Sequence, residues 1–166
     1  MSDPMPISYP AIQFLVPHQS PMILIDRVVS ANLEELVAEV CIHPQSLFFD
    51  GYGVGAWVGI EYMAQAIAAH AGYQAQAKGL PIKVGFLLGT RRFESAKPRF
   101  MQGEVLHIHV RCALQSENGL GAFECSIYNA LQPAVSLVNA TITVFQPKDV
   151  ADFLQEDSVR RLTTQN

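Results

Sequence analysis

The chain has 166 residues, of which 49% are hydrophobic and only 16% are charged, and its formal net charge is −4 at pH 7. This length suits one domain with its own core. The acidic balance argues against a general nucleic-acid binder, and we expect no membrane span because no apolar run is long enough. A surface with so few charged residues predicts contact with another subunit, since monomers seldom expose large apolar patches.

Three cysteines are scattered along the chain, at positions 41, 112 and 125, with no CxxC pair. An odd, scattered set is more typical of a reducing cytoplasm than of a disulfide framework, so we expect a cytoplasmic protein. Residues 1–10 carry three prolines and contain neither a basic nor an apolar segment. They predict an irregular arm and no signal peptide.

The first regular elements are predicted in the N-terminal third of the chain. Residues 11–16 predict one helical turn. Two runs rich in aliphatic residues, 21–29 and 33–42, predict a hairpin whose turn lies at residues 30–32. The stretch 43–56 contains three glycines that alternate with other residues, and it predicts a tight loop.

One long helix is predicted over residues 57–78, which are rich in alanine. Gly79 and Pro81 follow it as a typical stop signal. Small side chains let other backbone approach closely, so we expect this helix to be buried rather than half-solvated. A single acidic residue, Glu61, lies in its apolar first half, and a charged carboxylate is costly to bury without a partner.

Four long strands are predicted after the helix, followed by a short C-terminal helix over residues 149–162. The strands cover residues 83–95, 103–115, 120–131 and 134–146. A hairpin, one buried helix and four antiparallel strands predict an α+β protein with a single domain over residues 1–166. A sheet wrapped around one long helix is the hotdog fold, and an ordinary α+β sandwich is the competing interpretation.

Four stretches of the chain carry motifs of a known family. They are VPHQSPMILIDRVV (16–29), SLFFDGY…GVGAWVGIEYMAQA (46–66), RRFESAKPRFMQGE (91–104) and VSLVNATITVF (135–145). Together they resemble the β-hydroxyacyl-ACP dehydratases of type II fatty-acid synthesis over nearly the whole chain. More closely, the chain is similar to the dehydratase-like hotdog subunits of aryl polyene pigment pathways.

The resemblance implies a hotdog dimer whose sheets are continuous across the interface, formed with an identical or a related hotdog subunit. It implies a 3-hydroxyacyl substrate on the phosphopantetheine arm of an acyl carrier protein, which loses water to give the trans-2-enoyl thioester. We expect no cofactor and no metal ion. In the family, a loop histidine of one subunit takes the α-proton, and a helix carboxylic acid of the other helps the hydroxyl leave.

Glu61 matches the family's helix carboxylic acid. Apolar surroundings would disfavour its charged form, which suits a general acid near neutral pH. Gln65 lies one turn later and is expected to orient it. The amides of Ala56 and Trp57 are expected to polarise the thioester carbonyl. Phe49, in the preceding loop, is expected to contact the substrate.

The family's catalytic histidine has no match, because Tyr52 directly follows the phenylalanine-rich stretch 48–51. Three explanations stay open. In the first, a related partner shares its histidine with Glu61. In the second, another residue replaces the histidine. In the third, the chain is a weakly active structural subunit. We favour the shared site. The candidate replacements are His18, His43 and, as a weaker base, Tyr52; for both histidines a structural role is favoured.

Two other functions compete with dehydration. In a hotdog thioesterase, the helix carboxylate activates water or attacks the thioester carbonyl, with no need for the loop histidine. In a non-catalytic scaffold subunit, the chain only shapes the acyl tunnel of its partner.

Two further groups of residues have more than one interpretation. His107 and His109 point to the same face of a predicted strand, but no third ligand accompanies them, so exposed strand residues are favoured over a metal site. A local basic group predicts either steering of an acidic carrier protein or a solvated strand edge. Its members are Arg91, Arg92, Lys97 and Arg99.

Overall fold

A computed structural model describes residues 7–151, 154–156 and 160 of the chain. Its elements are, in chain order, a 3-10 turn Ile12–Phe14, β1 Arg27–Ala31, β2 Glu35–Cys41, β3 Gly53–Gly55, a second 3-10 turn Ala56–Val58, α1 Gly59–Ala77, β4 Phe86–Ser95, β5 Arg99–Met101, β6 Val105–Gln115, β7 Leu120–Asn129 and β8 Gln132–Phe145. The predicted hairpin, long helix and four later strands are therefore present.

A six-stranded antiparallel sheet forms the main layer, in the order β1-β2-β6-β7-β8-β4, and β3 pairs with β5 in a separate ribbon. Helix α1 packs across β2, β6, β7 and β8. One sheet that wraps around one long helix is the hotdog fold, so this prediction is confirmed.

The core lies between α1 and the inner face of the sheet. Buried and partly exposed side chains alternate along β2 and the first half of β6, as a half-buried strand requires. Each large apolar side chain buried in this way contributes roughly 1.5–3 kcal/mol. The inward-facing residues include Leu36, Ala38, Val40, Leu106, Ile108 and Val110, and α1 adds Tyr62, Met63 and Ala66.

The N-terminal segment, residues 14–24, is held against α1 rather than in the sheet. The Gln76 side chain donates a 2.9 Å hydrogen bond to the Phe14 carbonyl, and Gln65 bonds to the backbone of Met22 and Leu24. The predicted strand 21–29 is therefore wrong in its first half. Backbone groups that would pair in a sheet are bound by a helix side chain instead, and the strand begins only at Arg27.

The ribbon of β3 and β5 was not predicted. Its three-residue strands are too short to show an alternating pattern, and β3 contains two glycines inside the predicted loop 43–56. Gly53 is required there, because a Cβ would lie 2.0 Å from the Phe100 carbonyl oxygen. This close approach fixes the loop that leads into α1.

The chain ends are described only in part. Residues 7–10 have no regular secondary structure, and residues 1–6 of the predicted arm lie outside the described residues. Within the predicted helix 149–162, residues 150, 151, 154–156 and 160 are helical, and 152, 153, 157–159, 161 and 162 lie outside the described part. None of the described helices is both long and apolar enough to cross a membrane.

The two strand histidines contact carboxylates on the outer face of the sheet. His107 lies 3.0 Å from Glu39 and His109 lies 2.9 Å from Glu35. The hydrogen bond from His109 lowers the pKa of Glu35. Partial burial acts in the opposite direction on Glu39, but hydrogen bonds from Arg27 and His107 lower the pKa of this carboxyl overall. The histidines are thus partners of carboxylates on a half-exposed face.

One histidine of α1 is buried. His70 is 3% exposed, its Nε2 donates a 2.9 Å hydrogen bond to the Asn32 carbonyl oxygen, and its ring meets Phe123 edge-on. Burial lowers the pKa of His70, and the bond to Asn32 opposes this only in part. The folded protein therefore favours the neutral imidazole, which pins the turn between β1 and β2 to the helix.

Stability is expected to fall in two steps as the pH is lowered. The unfolded chain binds a proton at His70 more readily than the folded chain does, so stability is complete above pH 6.5 and is lost below it. A second loss follows below about pH 4.5, where Glu35 and Glu39 become protonated in the unfolded chain first. Urea unfolding at a series of pH values from 8 to 4 measures both losses in the free energy of unfolding. The variant His70→Gln should lack the loss below pH 6.5 and keep the loss below about pH 4.5. An unchanged first step in this variant would assign it to another group.

Gly72 is expected to be irreplaceable although it lies inside a helix. Gly→Ala normally stabilises a helix interior, but a Cβ on Gly72 would lie 1.9 Å from the Leu15 carbonyl oxygen. Gly72→Ala must therefore push the N-terminal segment off α1. We expect a loss of about 1–3 kcal/mol, or a melting temperature lower by about 2–8 °C. A melting temperature equal to or above that of the wild type would contradict the close packing.

Candidate active site

A cavity of about 150 Å³ lies between α1 and the β4, β7 and β8 side of the sheet. Pro17 and His18 of the N-terminal segment also line it. The helix contributes Glu61, Ala64, Ile67, Ala68 and Ala71, and the strands contribute Phe86, Leu87, Gly121, Phe123, Val144 and Phe145. Most of these side chains are apolar, and the two ionisable ones among them are His18 and Glu61.

Glu61 and His18 face each other in this cavity. His18 Nε2 lies 3.8 Å from Glu61 Oε1, and the two side chains are 30% and 37% exposed. Glu61 is therefore less buried than the sequence predicted, because its neighbours along the open face of the helix are small alanines. The Nδ1 atom of His18 is buried and has no hydrogen-bond partner among the described residues. The sequence favoured a structural role for His18, whereas the structure places it beside the acid.

Gln65 holds this arrangement together. It is fully buried, and its Nε2 donates to Glu61 Oε1 at 2.9 Å and to the Met22 carbonyl at 2.7 Å. Its Oε1 accepts a 2.8 Å hydrogen bond from the Leu24 amide. The hydrogen bond expected between Gln65 and Glu61 is present. The same amide also fixes the segment that carries His18.

The other two candidate bases lie away from Glu61. His43 is hydrogen-bonded to Gln45 and lines a separate pocket of about 210 Å³ together with Asp26. Tyr52 is 68% exposed, and the Arg99 guanidinium lies 5.9 Å from its ring centre. Neither residue lines the cavity of Glu61.

The start of the helix differs from the prediction in two respects. The Ala56 amide donates a 2.9 Å hydrogen bond to the Pro98 carbonyl, so it is not free to polarise a thioester. Phe49 is half-buried against the core and is not part of the cavity wall. Trp57 is 63% exposed, and its ring meets Phe48 edge-on at 5.5 Å.

The predicted basic group is largely neutralised within the chain. Three of its members pair with carboxylates: Arg92 with Glu94 at 3.0 Å, Lys97 with Glu104 at 2.5 Å and Arg99 with Asp50 at 2.5 Å. The pairing favours the interpretation as a solvated strand edge. Across residues 7–151, 154–156 and 160, no three His, Cys, Asp or Glu side chains come together as a metal site would require.

Sequence reasoning missed most of the cavity wall. Phe86, Phe123 and Phe145 come from three strands that are distant in sequence, and only the order β7-β8-β4 brings them opposite the helix. No local pattern marks them. Phe123 is one of several inward-facing residues in the alternating strand β7, and β4, which carries Phe86, shows no alternation.

The structure is a hotdog domain with an oriented carboxylate in an apolar cavity along its central helix, as the resemblance to the dehydratases implies. The family model ApeP-like, described as ApeP dehydratase, matches residues 10–155. The chain therefore belongs to the ApeP-like dehydratase family.

One solved structure agrees with this assignment, and two others share the fold. The dehydratase heterocomplex ApeI:P from Xenorhabdus doucetiae is similar, with 28% identity and a TM-score of 0.80, over 89% of this chain and 97% of that chain. A hypothetical thioesterase protein with coenzyme A from Streptococcus pneumoniae shares the fold, with 17% identity and a TM-score of 0.55, over 72% of this chain and 84% of that one. So does smu.793 from Streptococcus mutans bound to acetyl CoA, with 16% identity and a TM-score of 0.56, over 78% and 95%. The comparison with curated proteins found no match.

Replacing Gln65 with Met should destabilise the protein. The Leu24 amide, the Met22 carbonyl and Glu61 would each lose the hydrogen bond that they share with the buried Gln65 amide. We expect a loss of roughly 1–3 kcal/mol in the free energy of unfolding, measured by urea denaturation.

Gln76→Met is the matched control for this replacement. Gln76 is an exposed glutamine of the same helix with one hydrogen bond, to the Phe14 carbonyl. Its replacement is expected to cost no more than about 0.5 kcal/mol. Equal losses at the two positions would show that burial of the Gln65 amide has no special weight.

Proposed function

We propose that the chain is one subunit of a 3-hydroxyacyl thioester dehydratase and that Glu61 is its general acid. The observation that carries this proposal is the Glu61 carboxyl, held by Gln65 and facing His18 in a largely apolar cavity. Such a cavity suits a hydrocarbon chain, and a carboxylic acid beside it can protonate a departing hydroxyl.

The proposed reaction removes one water from the substrate. A base takes the proton from C2, the electron pair of that C–H bond forms the C2–C3 double bond, and the C3–O bond breaks. Glu61 gives its proton to the leaving oxygen, so the hydroxyl departs as water. The product is the trans-2-enoyl thioester. Gln65 keeps one carboxyl oxygen of Glu61 fixed and leaves the other for the substrate.

We propose that a related hotdog subunit supplies the base and completes the site. The similarity to the ApeI:P heterocomplex supports this pairing. Strand β4 is an edge of the sheet, its Leu87 and Leu88 are 43% and 55% exposed, and Phe86 and Leu87 also line the cavity. A partner strand that pairs with β4 would cover these side chains and close the site over Glu61.

His18 is the one candidate base of this chain that lines the Glu61 cavity. At 3.8 Å from the carboxyl, it either holds Glu61 in place or accepts the C2 proton itself. We propose that His18 is a positioning residue, which holds Glu61 in place while the partner supplies the base. If the partner supplies no base, His18 is the residue that accepts the C2 proton.

We propose further that the thioester is carried by an acyl carrier protein and that the reaction takes place in the cytoplasm. The neutralised basic group offers the carrier little charge to bind. Recognition would then depend mainly on the pantetheine arm. Trp57 and Phe48, which are exposed near the start of α1, are apolar contacts on its path.

Glu61→Gln is expected to lower dehydration by about 10²–10⁴-fold, because the amide cannot donate the proton that the leaving oxygen needs. The assay follows loss of water from a 3-hydroxyacyl carrier protein by mass spectrometry, with the chain alone and with the co-encoded hotdog subunit. Glu34→Gln changes an exposed glutamate in the turn between β1 and β2, away from the cavity and from β4; it is the matched control and should leave turnover unchanged.

The outcomes separate the rival functions. Turnover that needs the partner and is only weakened by His18→Asn supports the shared site. If the isolated chain has full turnover and His18→Asn abolishes it, His18 is the base. Free acid and free thiol instead of an enoyl thioester would indicate a thioesterase, and an unchanged rate for Glu61→Gln in the complex would leave a scaffold role.

A further inference from the structure

We propose that the acyl chain of the substrate lies along α1 from Glu61 past Ala68 to Ala71, and that the polar side chains beyond Ala71 limit its length to about 14 carbons. This inference rests on the proposed dehydratase function and deepens it. It assigns the substrate to the medium-chain to long-chain 3-hydroxyacyl thioesters.

The accessible face of α1 is a smooth apolar track. Glu61, Ala64, Ala68 and Ala71 follow one another at helical spacing, are half-buried, and line the same cavity. None of the three alanines has a side chain beyond Cβ, so an extended chain can lie directly on the helix. The side chains of these alanines offer no hydrogen-bond partner, which suits a hydrocarbon and not the amide groups of a pantetheine arm.

The strands opposite this track leave room for a chain. Phe86, Phe123 and Val144 form an apolar wall, and Gly121 lies between them. A Cβ on Gly121 would lie 3.3 Å from both the Phe123 ring and the Val144 side chain, so the glycine keeps these groups from being pushed into the cavity.

The direction of the chain follows from the direction of the helix. At the start of α1, a Cβ on Gly59 would lie 2.9 Å from Ile127, near the end of β7. Further along the helix, the His70 ring lies 6.3 Å from the ring of Phe123, which is nearer the beginning of β7. Helix α1 therefore runs towards the beginning of β7. That end of the cavity is lined by Lys83, Gln115 and Gln146. The track therefore begins at the acid and ends among polar side chains.

The length of the track sets the length of the chain. Ala71 lies ten positions after Glu61 in the sequence, which corresponds to about 15 Å along the helix. An extended chain advances about 1.2 Å per single bond, as in a peptide whose three backbone bonds span about 3.6 Å. About 12 bonds therefore fit beyond the reacting carbon. A longer chain would have to place apolar carbons among the polar side chains at the far end.

Ala68 is the position at which a larger side chain should shorten the track. It lies two turns after Glu61, about 10 Å along the helix, and it is half-buried, so a larger side chain projects into the cavity rather than into the core. With Ala68→Phe in the complex with the partner, four-carbon 3-hydroxyacyl carrier protein should still be dehydrated. The ratio of twelve-carbon to four-carbon turnover should fall by about tenfold or more.

Ala75→Phe is the matched control. Ala75 is a half-buried alanine one turn beyond Ala71, but it does not line the cavity, so the same replacement should leave the ratio unchanged. Ala68→Leu provides a smaller obstruction if the phenylalanine variant does not fold. An unchanged ratio in a folded Ala68 variant, or an equal loss for both chain lengths, would overturn the inference.

A binding measurement tests the channel without catalysis. Trp57 is the single tryptophan of the chain and lies one turn before Glu61, so its fluorescence reports on ligands near the acid. Dodecanoyl-pantetheine should bind the wild type more tightly than butanoyl-pantetheine does, and Ala68→Phe should remove this difference. If the difference is absent in the wild type, the channel inference fails. If it is present but no substrate is dehydrated, the proposed reaction fails instead.

Discussion

The site depends on one buried side-chain amide. Gln65 has no contact with solvent, and its hydrogen bonds satisfy two backbone groups of the N-terminal segment and one carboxyl oxygen of Glu61. Because unpaired polar groups are costly in a protein interior, these partners must stay where the amide can reach them. The acid, the segment that carries His18 and the helix are thereby fixed relative to one another.

A second constraint keeps the segment and the helix close. The backbone at Leu15 approaches Gly72 more closely than any side chain would allow, while Gln65 holds the same segment two helical turns earlier. Two attachments along one helix define the position of the residues between them. His18 therefore reaches Glu61 through backbone packing, although the two residues are 43 positions apart in the sequence.

The sequence was sufficient to predict the helix, the long strands and the carboxylate on the helix, because each has a local signal: alanine content with a glycine stop, aliphatic runs, and one glutamate in an apolar stretch. It was not sufficient for contacts made by backbone. The strand predicted over residues 21–29 is correct only from Arg27, since nothing in MILI shows that a helix glutamine takes its hydrogen bonds. The position of His18 beside Glu61 and the hydrogen bond of the Ala56 amide to Pro98 were not predicted for the same reason, since both depend on close approach of distant backbone segments.

The exposed edge of the sheet has a consequence for the cell that makes this chain. Strand β4 lies at an edge of the sheet and carries the exposed side chains of Leu87 and Leu88, and an edge strand is a template for other extended strands. A copy synthesised in excess of its proposed partner would offer this edge to further copies or to unrelated chains. Matched synthesis of the two subunits, or assembly during synthesis, would therefore protect the chain from aggregation as well as complete its site.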